Sequence, residues 1–161
     1  MFGLKRGVAL AEPVAHVDVR FATARDIPQM LEIELLSFDR PWNRLDFMLA
    51  MRQEGVAAVT AELGGAVVAY AVITQRARHT EIWNLAAAPQ LRRRGLGRTI
   101  VERVQASAGR LAPLRAIVSE RNLVGQLFFK ALGFRATKII RGYYARCGDD
   151  QDAYRFVWKG N

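Results

Sequence analysis

The sequence predicts one α/β (α+β) domain of about seven strands and about four helices. Three observations predict it. At 161 residues, with 51% hydrophobic and 24% charged side chains, the chain is the size of one core-forming domain. Segments of period-two apolar alternation interleave with segments of helical spacing. A Gly64-Gly65 dipeptide, which readily takes positive φ, joins two β-rich runs as a tight hairpin turn.

Taken in order, residues 1–16 carry little pattern and read as a flexible N-terminal arm, leaving 17–161 as the domain. Lys5-Arg6 and the apolar run after it suggest a signal peptide, but Glu12 and Pro13 interrupt that run almost at once, which argues against export. Val17, Val19 and Phe21 alternate with Asp18 and Arg20, predicting a half-buried strand over 17–23. Thr23 with Asp26 gives a capping signal for a helix to about residue 38, along which Ile27, Met30, Leu31, Ile33, Glu34 and Leu35 fall at helical spacing. Pro41 and Trp42 break it, and Asn43 caps a second helix carrying Leu45, Phe47, Met48 and Met51. Strands follow at 56–63, 66–75 and 80–87. A helix opens at Gly95 and runs to about 108, with Leu96, Ile100, Val101 and Val104 on one side. The rest reads as a strand at 114–119, a helix from Asn122 to Leu132 stopped by Gly133, and strands at 134–140 and 153–158.

The chemistry concentrates where the small-residue strand ending at 85–88 gives way to Pro89, three arginines, two glycines and a helix. Backbone N–H groups at a glycine-rich helix start point outward without intrahelical partners, and the helix dipole adds partial positive charge, so this junction is an anion cradle. The glycines let a ligand approach the main chain. It is not a Walker loop, which would end in Gly-Lys-Ser/Thr, nor a dinucleotide fingerprint, since a third glycine is missing. An excess of 24 basic over 15 acidic residues, net +9, suits a polyanionic ligand.

Arg92-Arg93-Arg94-Gly95-Leu96-Gly97 matches the signature Q/R-x-x-G-x-G/A, and on it the chain resembles the GNAT superfamily of N-acetyltransferases, over about residues 17–159. Ile33-Glu34, Pro41-Trp42, Asn84-Leu85-Ala86, Asn122, Ala131-Leu132-Gly133-Phe134 and Arg141-Gly142-Tyr143-Tyr144 resemble the RimI-type protein N-terminal acetyltransferases. The resemblance implies the GNAT fold, a central mixed, mostly antiparallel sheet of about seven strands flanked by about four helices, with acetyl-coenzyme A in the splay between the fourth and fifth strands. Cofactor contacts would come from Arg92, Arg93, Arg94, Gly95, Leu96, Gly97 and Arg98 around the pyrophosphate, from Leu85, Ala86 and Ala87 along the pantetheine, and from Asn122 and Phe129. Pro41, Trp42, Asn84, Tyr143 and Tyr144 would form the acceptor slot.

Acetyl transfer needs a neutral amine, a polarised thioester carbonyl and a proton for the departing thiolate. RimI-type enzymes place a base glutamate and an acid tyrosine where this chain has Ile117 and Phe129, neither of which transfers a proton. Glu81 is the substitute base; it lies 14 positions before Gly95 (95 − 81), a spacing similar to that in the histone acetyltransferase branch. Period-two geometry puts Glu81, Trp83, Leu85 and Ala87 on one face, with Glu81 roughly 20 Å from the acetyl site, a distance that calls for a water relay. An exposed strand-end carboxylate is the competing reading. Tyr143 and Tyr144 are the acid candidates, with acceptor grip or aromatic packing as other roles. The Ala87 N–H is the oxyanion donor.

The expected acceptor is a protein N-terminal α-amine, with a small-molecule amine or a lysine as alternatives. Ile117 and Phe129 also leave open a module that binds acyl-CoA without turnover. His16 and His79 are too few and too separated for a metal site, so no metal is expected. No nucleic acid is expected, because no ladder of basic residues interleaved with aromatics is visible. The longest uncharged apolar stretch, 63–75, falls short of the roughly 20 residues a membrane helix needs. The single cysteine, Cys147, suits a reducing cytoplasm and reads as an ordinary thiol. Monomer and homodimer remain equally open.

Overall fold

The computed structural model describes residues 16–107, 113–145, 148 and 151–160. The N-terminal arm (His16 apart), Cys147 and residue 108 at the predicted end of the third helix lie outside them.

Seven strands form one sheet in the order β1-β2-β3-β4-β5-β7-β6. They are β1 (Asp18–Phe21), β2 (Val56–Leu63), β3 (Ala66–Arg76), β4 (His79–Ala87), β5 (Leu114–Ser119), β6 (Arg135–Ile140) and β7 (Ala153–Trp158). All pair antiparallel except β4 with β5. The helices are α1 (Ile27–Leu35), α2 (Arg44–Met51), α3 (Leu96–Ser107) and α4 (Leu123–Ala131). Among the described residues no helix is long and apolar enough to cross a membrane.

Local chemistry explains the elements. Thr23 and Asp26 close the expected capping box, with the Thr23 amide donating to Asp26 at 2.7 Å, although the first turn is 3₁₀ before α1 begins. Arg20 on β1 grips the same carboxylate at 2.8 and 2.9 Å and holds its pKa down at about 2. α1 stops at Leu35, short of the predicted residue 38: Ser37 and Phe38 both donate to the Glu34 carbonyl, tightening the end. Leu35 and Leu36, 64% and 67% exposed, have no surface on which to continue the helix. Asn43 caps α2, accepting from Leu45 and Asp46, and Gly64-Gly65 turns the hairpin with both φ angles positive.

A core lies on each face. On one, α3 and α4 bury Leu96, Ile100, Val101, Val104 and Phe129 against Ile82, Ala116, Val118 and Phe156. On the other, α1 and α2 bury Ile27, Met30, Ile33, Phe47 and Ala50 against Ala58, Tyr70, Val72 and Ala86. The sheet is thus sandwiched, and it has one defect along its length.

Candidate active site

That defect is the parting of β4 from β5. Their pairing covers Thr80↔Leu114, Glu81↔Arg115 and Ile82↔Ala116 and then stops, while β4 continues to Ala87 along β3. The Ala88 amide donates to the Val68 carbonyl at 2.8 Å. Because hydrogen-bonded and non-bonded pairs alternate in an antiparallel ladder, Ala86 faces β3, whereas the peptide groups of Leu85 and Ala87 turn to the opened side. Arg92 Nε takes the Ala87 carbonyl at 3.2 Å, while the guanidinium reaches Ser37 Oγ at 2.9 Å. The Ala87 N–H points into the gap with no strand beside it.

At the mouth of the gap the loop before α3 winds through Arg93 at φ 64° and Gly95 at φ 86°. Positive φ suits glycine and strains arginine, and alternation of this kind turns successive amides to one side. The first amide of α3 to reach an intrahelical acceptor is that of Thr99, on Gly95 at 2.9 Å, so those of Leu96, Gly97 and Arg98 lie ahead of the ladder. The glycines divide the labour. A Cβ on Gly95 would meet nothing, whereas one on Gly97 would sit 3.2 Å from the Phe128 ring, so Gly97 lets α3 and α4 close on each other. The Arg93 and Arg94 side chains are exposed, and Arg98 pairs with Glu102 one turn on. Asn122 caps α4 through its carbonyl oxygen, 2.8 Å from the Gly125 amide. Phe129 sits in the core, 6% exposed, stacked edge-on with Phe128 and Phe134.

Across the sheet, a buried carboxylate organises the other wall. Glu34, 1% exposed, accepts from the Trp42 amide at 2.8 Å, from Asn84 Nδ2 at 3.1 and 3.2 Å, and from the Tyr70 hydroxyl. Burial, then the neighbouring Glu34 charge, pushes the Tyr70 pKa up, so the phenol stays a donor. α1, β3, β4 and the Pro41-Trp42 loop thus meet at one side chain. Trp42 stacks edge-on with Phe47, and Phe47 with Tyr70. Beside them a groove of about 360 Å³ is lined by Trp42, Asp46, Leu49, Ala50, Gln53 and Trp83. Sequence reasoning missed Tyr70 altogether and read Glu34 as a residue at helical spacing and as part of a family match, without a role in the site. The available signal was a glutamate on the apolar stripe of α1 and a phenol in the otherwise apolar run 66–73.

The expected single face of Glu81, Trp83, Leu85 and Ala87 is corrected. A register shift between Val72 and Ile73 leaves Trp83 without a partner, so β4 bulges there and alternation resets. Leu85 and Ala87 pack toward α3 and α4, and Trp83 toward α1 and α2. Glu81 neighbours Ile82, which packs toward α3 and α4, so its side chain takes the α1 and α2 face, level with Arg115. Its carboxylate lies 3.7 Å from His79 Nε2. The His79 pKa is lowered, by burial first and then by the charge of Arg115, so the imidazole is neutral at pH 7. Tyr143 and Tyr144 stack edge-on at 4.9 Å in the segment after β6, with Tyr143 45% exposed. Among the described residues no group of His, Cys, Asp and Glu could hold a metal.

Known proteins resemble this chain in sequence and in fold. Over 132 residues the chain is 26% identical to [Ribosomal protein bS18]-alanine N-acetyltransferase of Escherichia coli (strain K12), covering 80% of this chain and 87% of that one. Over 137 residues it is 29% identical to the putative enzyme of that description from Bacillus subtilis (strain 168), covering 82% and 89%. The crystal structure of the ribosomal-protein-S18-alanine N-acetyltransferase from Escherichia coli superposes with a TM-score of 0.78 at 23% identity, covering 88% of this chain and 92% of that one. Arabidopsis thaliana NAA60 in complex with acetyl-CoA superposes at 0.74 and 16% identity, covering 89% and 98%. The model of the Acetyltransferase (GNAT) family matches residues 27–134. With the parted strands and the amide-lined helix start, this match places the chain in the GNAT acetyltransferase family, as an N-acetyltransferase whose acyl donor is acetyl-CoA.

Proposed function

We propose that the protein transfers the acetyl group of acetyl-CoA to a protein N-terminal α-amine by direct attack in a ternary complex. The observation that carries the reading is the parting of β4 and β5, which turns the peptide groups of Leu85 and Ala87 outward next to the open amides of α3. Main-chain groups of β4 bind the pantetheine as a strand would, and the amides from Arg93 to Arg98 hold the pyrophosphate. The Ala87 N–H donates to the oxyanion as the amine nitrogen bonds to the thioester carbon. Collapse breaks the C–S bond, the thiolate takes a proton, and the amine loses one, by way of water to Glu81. Tyr143 or Tyr144 is the candidate acid. The acceptor enters between the Trp42 loop, fixed by Glu34, and the Tyr143-Tyr144 segment. Similarity to the bS18-alanine enzymes supports an N-terminal rather than a small-molecule amine, and we place the protein in the cytoplasm, where such acceptors and acetyl-CoA meet.

Free-thiol release measured over N-terminal peptides, lysine peptides and small amines tests this. Turnover of N-terminal peptides is the expected result; turnover of small amines or lysine peptides alone overturns the acceptor. Ile117 and Phe129 favour a second reading, acyl-CoA binding without catalysis. That reading ends if Glu81→Gln retains coenzyme A binding by calorimetry and loses turnover, and stands if the unmodified protein binds and acetylates nothing.

A further inference from the structure

The two faces of β4 differ in what covers them beyond the gap. On the side of Trp42 and Trp83, the main packing of α1 and α2 is against β2, β3 and β4, leaving β5, β7 and β6 to the right of the slot. Side-chain alternation fixes what stands there. Leu114, Ala116, Val118 and Phe156 point into the opposite core, so Arg115 and Arg155 point to the acceptor side. Register sets Glu81 beside Arg115, Arg155 between Ile117 and Lys138, and Arg135 opposite Val157, and Arg76 lies over the Trp83 ring at 5.9 Å.

The result is a cationic half-face of Arg76, Arg115, Arg135, Lys138 and Arg155 around one carboxylate, Glu81. None of these five cations has an acidic partner within 4.0 Å among the described residues. The Nε of Arg115 is shut off from water without an acceptor, an expensive arrangement for a donor. Nearby carboxylates are committed elsewhere: Asp152 accepts from Arg141 and the Gly142 amide, and Glu120 from the Asp152 amide. The lowered His79 pKa, traced in part to Arg115, Arg155 and Arg76, reports the same crowding of positive charge.

We propose that this half-face selects acceptors carrying Asp or Glu a few residues beyond the reactive amine. The inference rests on the N-terminal reading above and names the substrate class. The last paired level, Ile82 with Ala116 and Phe156, lies about five strand positions from Ala87, or about 16 Å, and Ile117 and Arg155 follow it by one position. An extended acceptor whose amine lies at Ala87 therefore brings its residues at about positions 3 to 6 over the cations. Guanidinium groups match planar carboxylates in two-point contact, and a basic acceptor there meets like charge. Single-stranded RNA, the other polyanion, stacks on successive open aromatic rings. Beside these five cations the aromatic is Trp83, and Arg76 already covers it.

Matched peptides sharing a first residue and differing only in acidic, neutral or basic residues at positions 3 to 6 test the proposal. We expect kcat/KM about tenfold higher for the acidic than for the basic series at low salt, the gap narrowing as salt rises. In Arg155→Glu, and separately Lys138→Glu, the preference shrinks or reverses while coenzyme A affinity by calorimetry stays put, which also reports that each variant is folded. Equal use of the series, or preference for basic peptides, overturns the proposal. So does RNA binding that is steep in salt and displaces the acidic peptides. Fluorescence anisotropy of the same labelled peptides on the coenzyme A complex separates the two readings. If no peptide turns over, the N-terminal acceptor fails, yet tighter binding of acidic peptides, lost in Arg155→Glu, still upholds the face, and equal binding sinks it.

Discussion

In the proposed site, the donor wall and the acceptor wall are built from different materials. At β4 and the start of α3 the groups proposed to hold the acyl donor are main-chain amides of Leu85, Ala87, Leu96, Gly97 and Arg98, left open because a ladder ends and a helix begins. Across the sheet the groups are side chains: Glu34, Tyr70, Asn84 and the loop amide of Trp42, joined over as many as 50 positions of sequence. A wall of peptide groups tolerates most residues provided the backbone path holds. A wall of side chains changes with each substitution, so acceptor choice can diverge while the acyl donor stays the same.

The largest effect should come from removing one donor-wall amide without disturbing the ladder. Because the Ala87 N–H faces the gap, Ala87→Pro costs no bond to β3, and kcat should fall about 10²- to 10³-fold with coenzyme A still bound. An unchanged kcat in a folded variant would remove Ala87 from the chemistry. Next, Glu34→Ala leaves the buried Tyr70 hydroxyl and the half-buried Asn84 amide without their acceptor and should cost about 2–3 kcal/mol in urea unfolding. It should raise acceptor KM while leaving the coenzyme A affinity alone; equal losses on both would mean that the walls are not separate. Gly95→Val forces a β-branched residue to φ 86°, and coenzyme A should bind about tenfold more weakly, with the acceptor KM unchanged.

The smallest effect is in acid. Asp26, held at a pKa of about 2 chiefly by the Arg20 hydrogen bond, contributes stability that is full above its ordinary value of 3.8 and is lost as pH falls through 2. Chemical unfolding at pH 6 and pH 2.5 should show Asp26→Asn losing less stability on acidification than the parent, by on the order of 1–2 kcal/mol. A parallel pH dependence in the two proteins would remove Asp26 from the acid response.

The same division decides how much could be read from the chain. Every strand and helix was legible from period and caps, because these are local signals; so was the cradle before α3, since Gly95 and the helix after it are adjacent in sequence. Three things were not. The bulge at Trp83 adds a residue without altering composition, and period-two counting therefore grouped Glu81 and Trp83 with Leu85 and Ala87, though the two pairs lie on opposite faces. The ladder order places β7 between β5 and β6, which chain order does not reveal. The Glu34 cluster forms only when α1 docks on β3, so its members look unrelated until the sheet is assembled.

Strand β7 also times assembly. It follows every other described element, yet it fills the slot between β5 and β6. During synthesis the four strands from β1 to β4 can zip up as neighbours while β5 waits, one edge bare, for a strand not yet made. A ribosome stalled before Ala153 would hold a nascent chain with two unpaired edges, a substrate for chaperones rather than for coenzyme A.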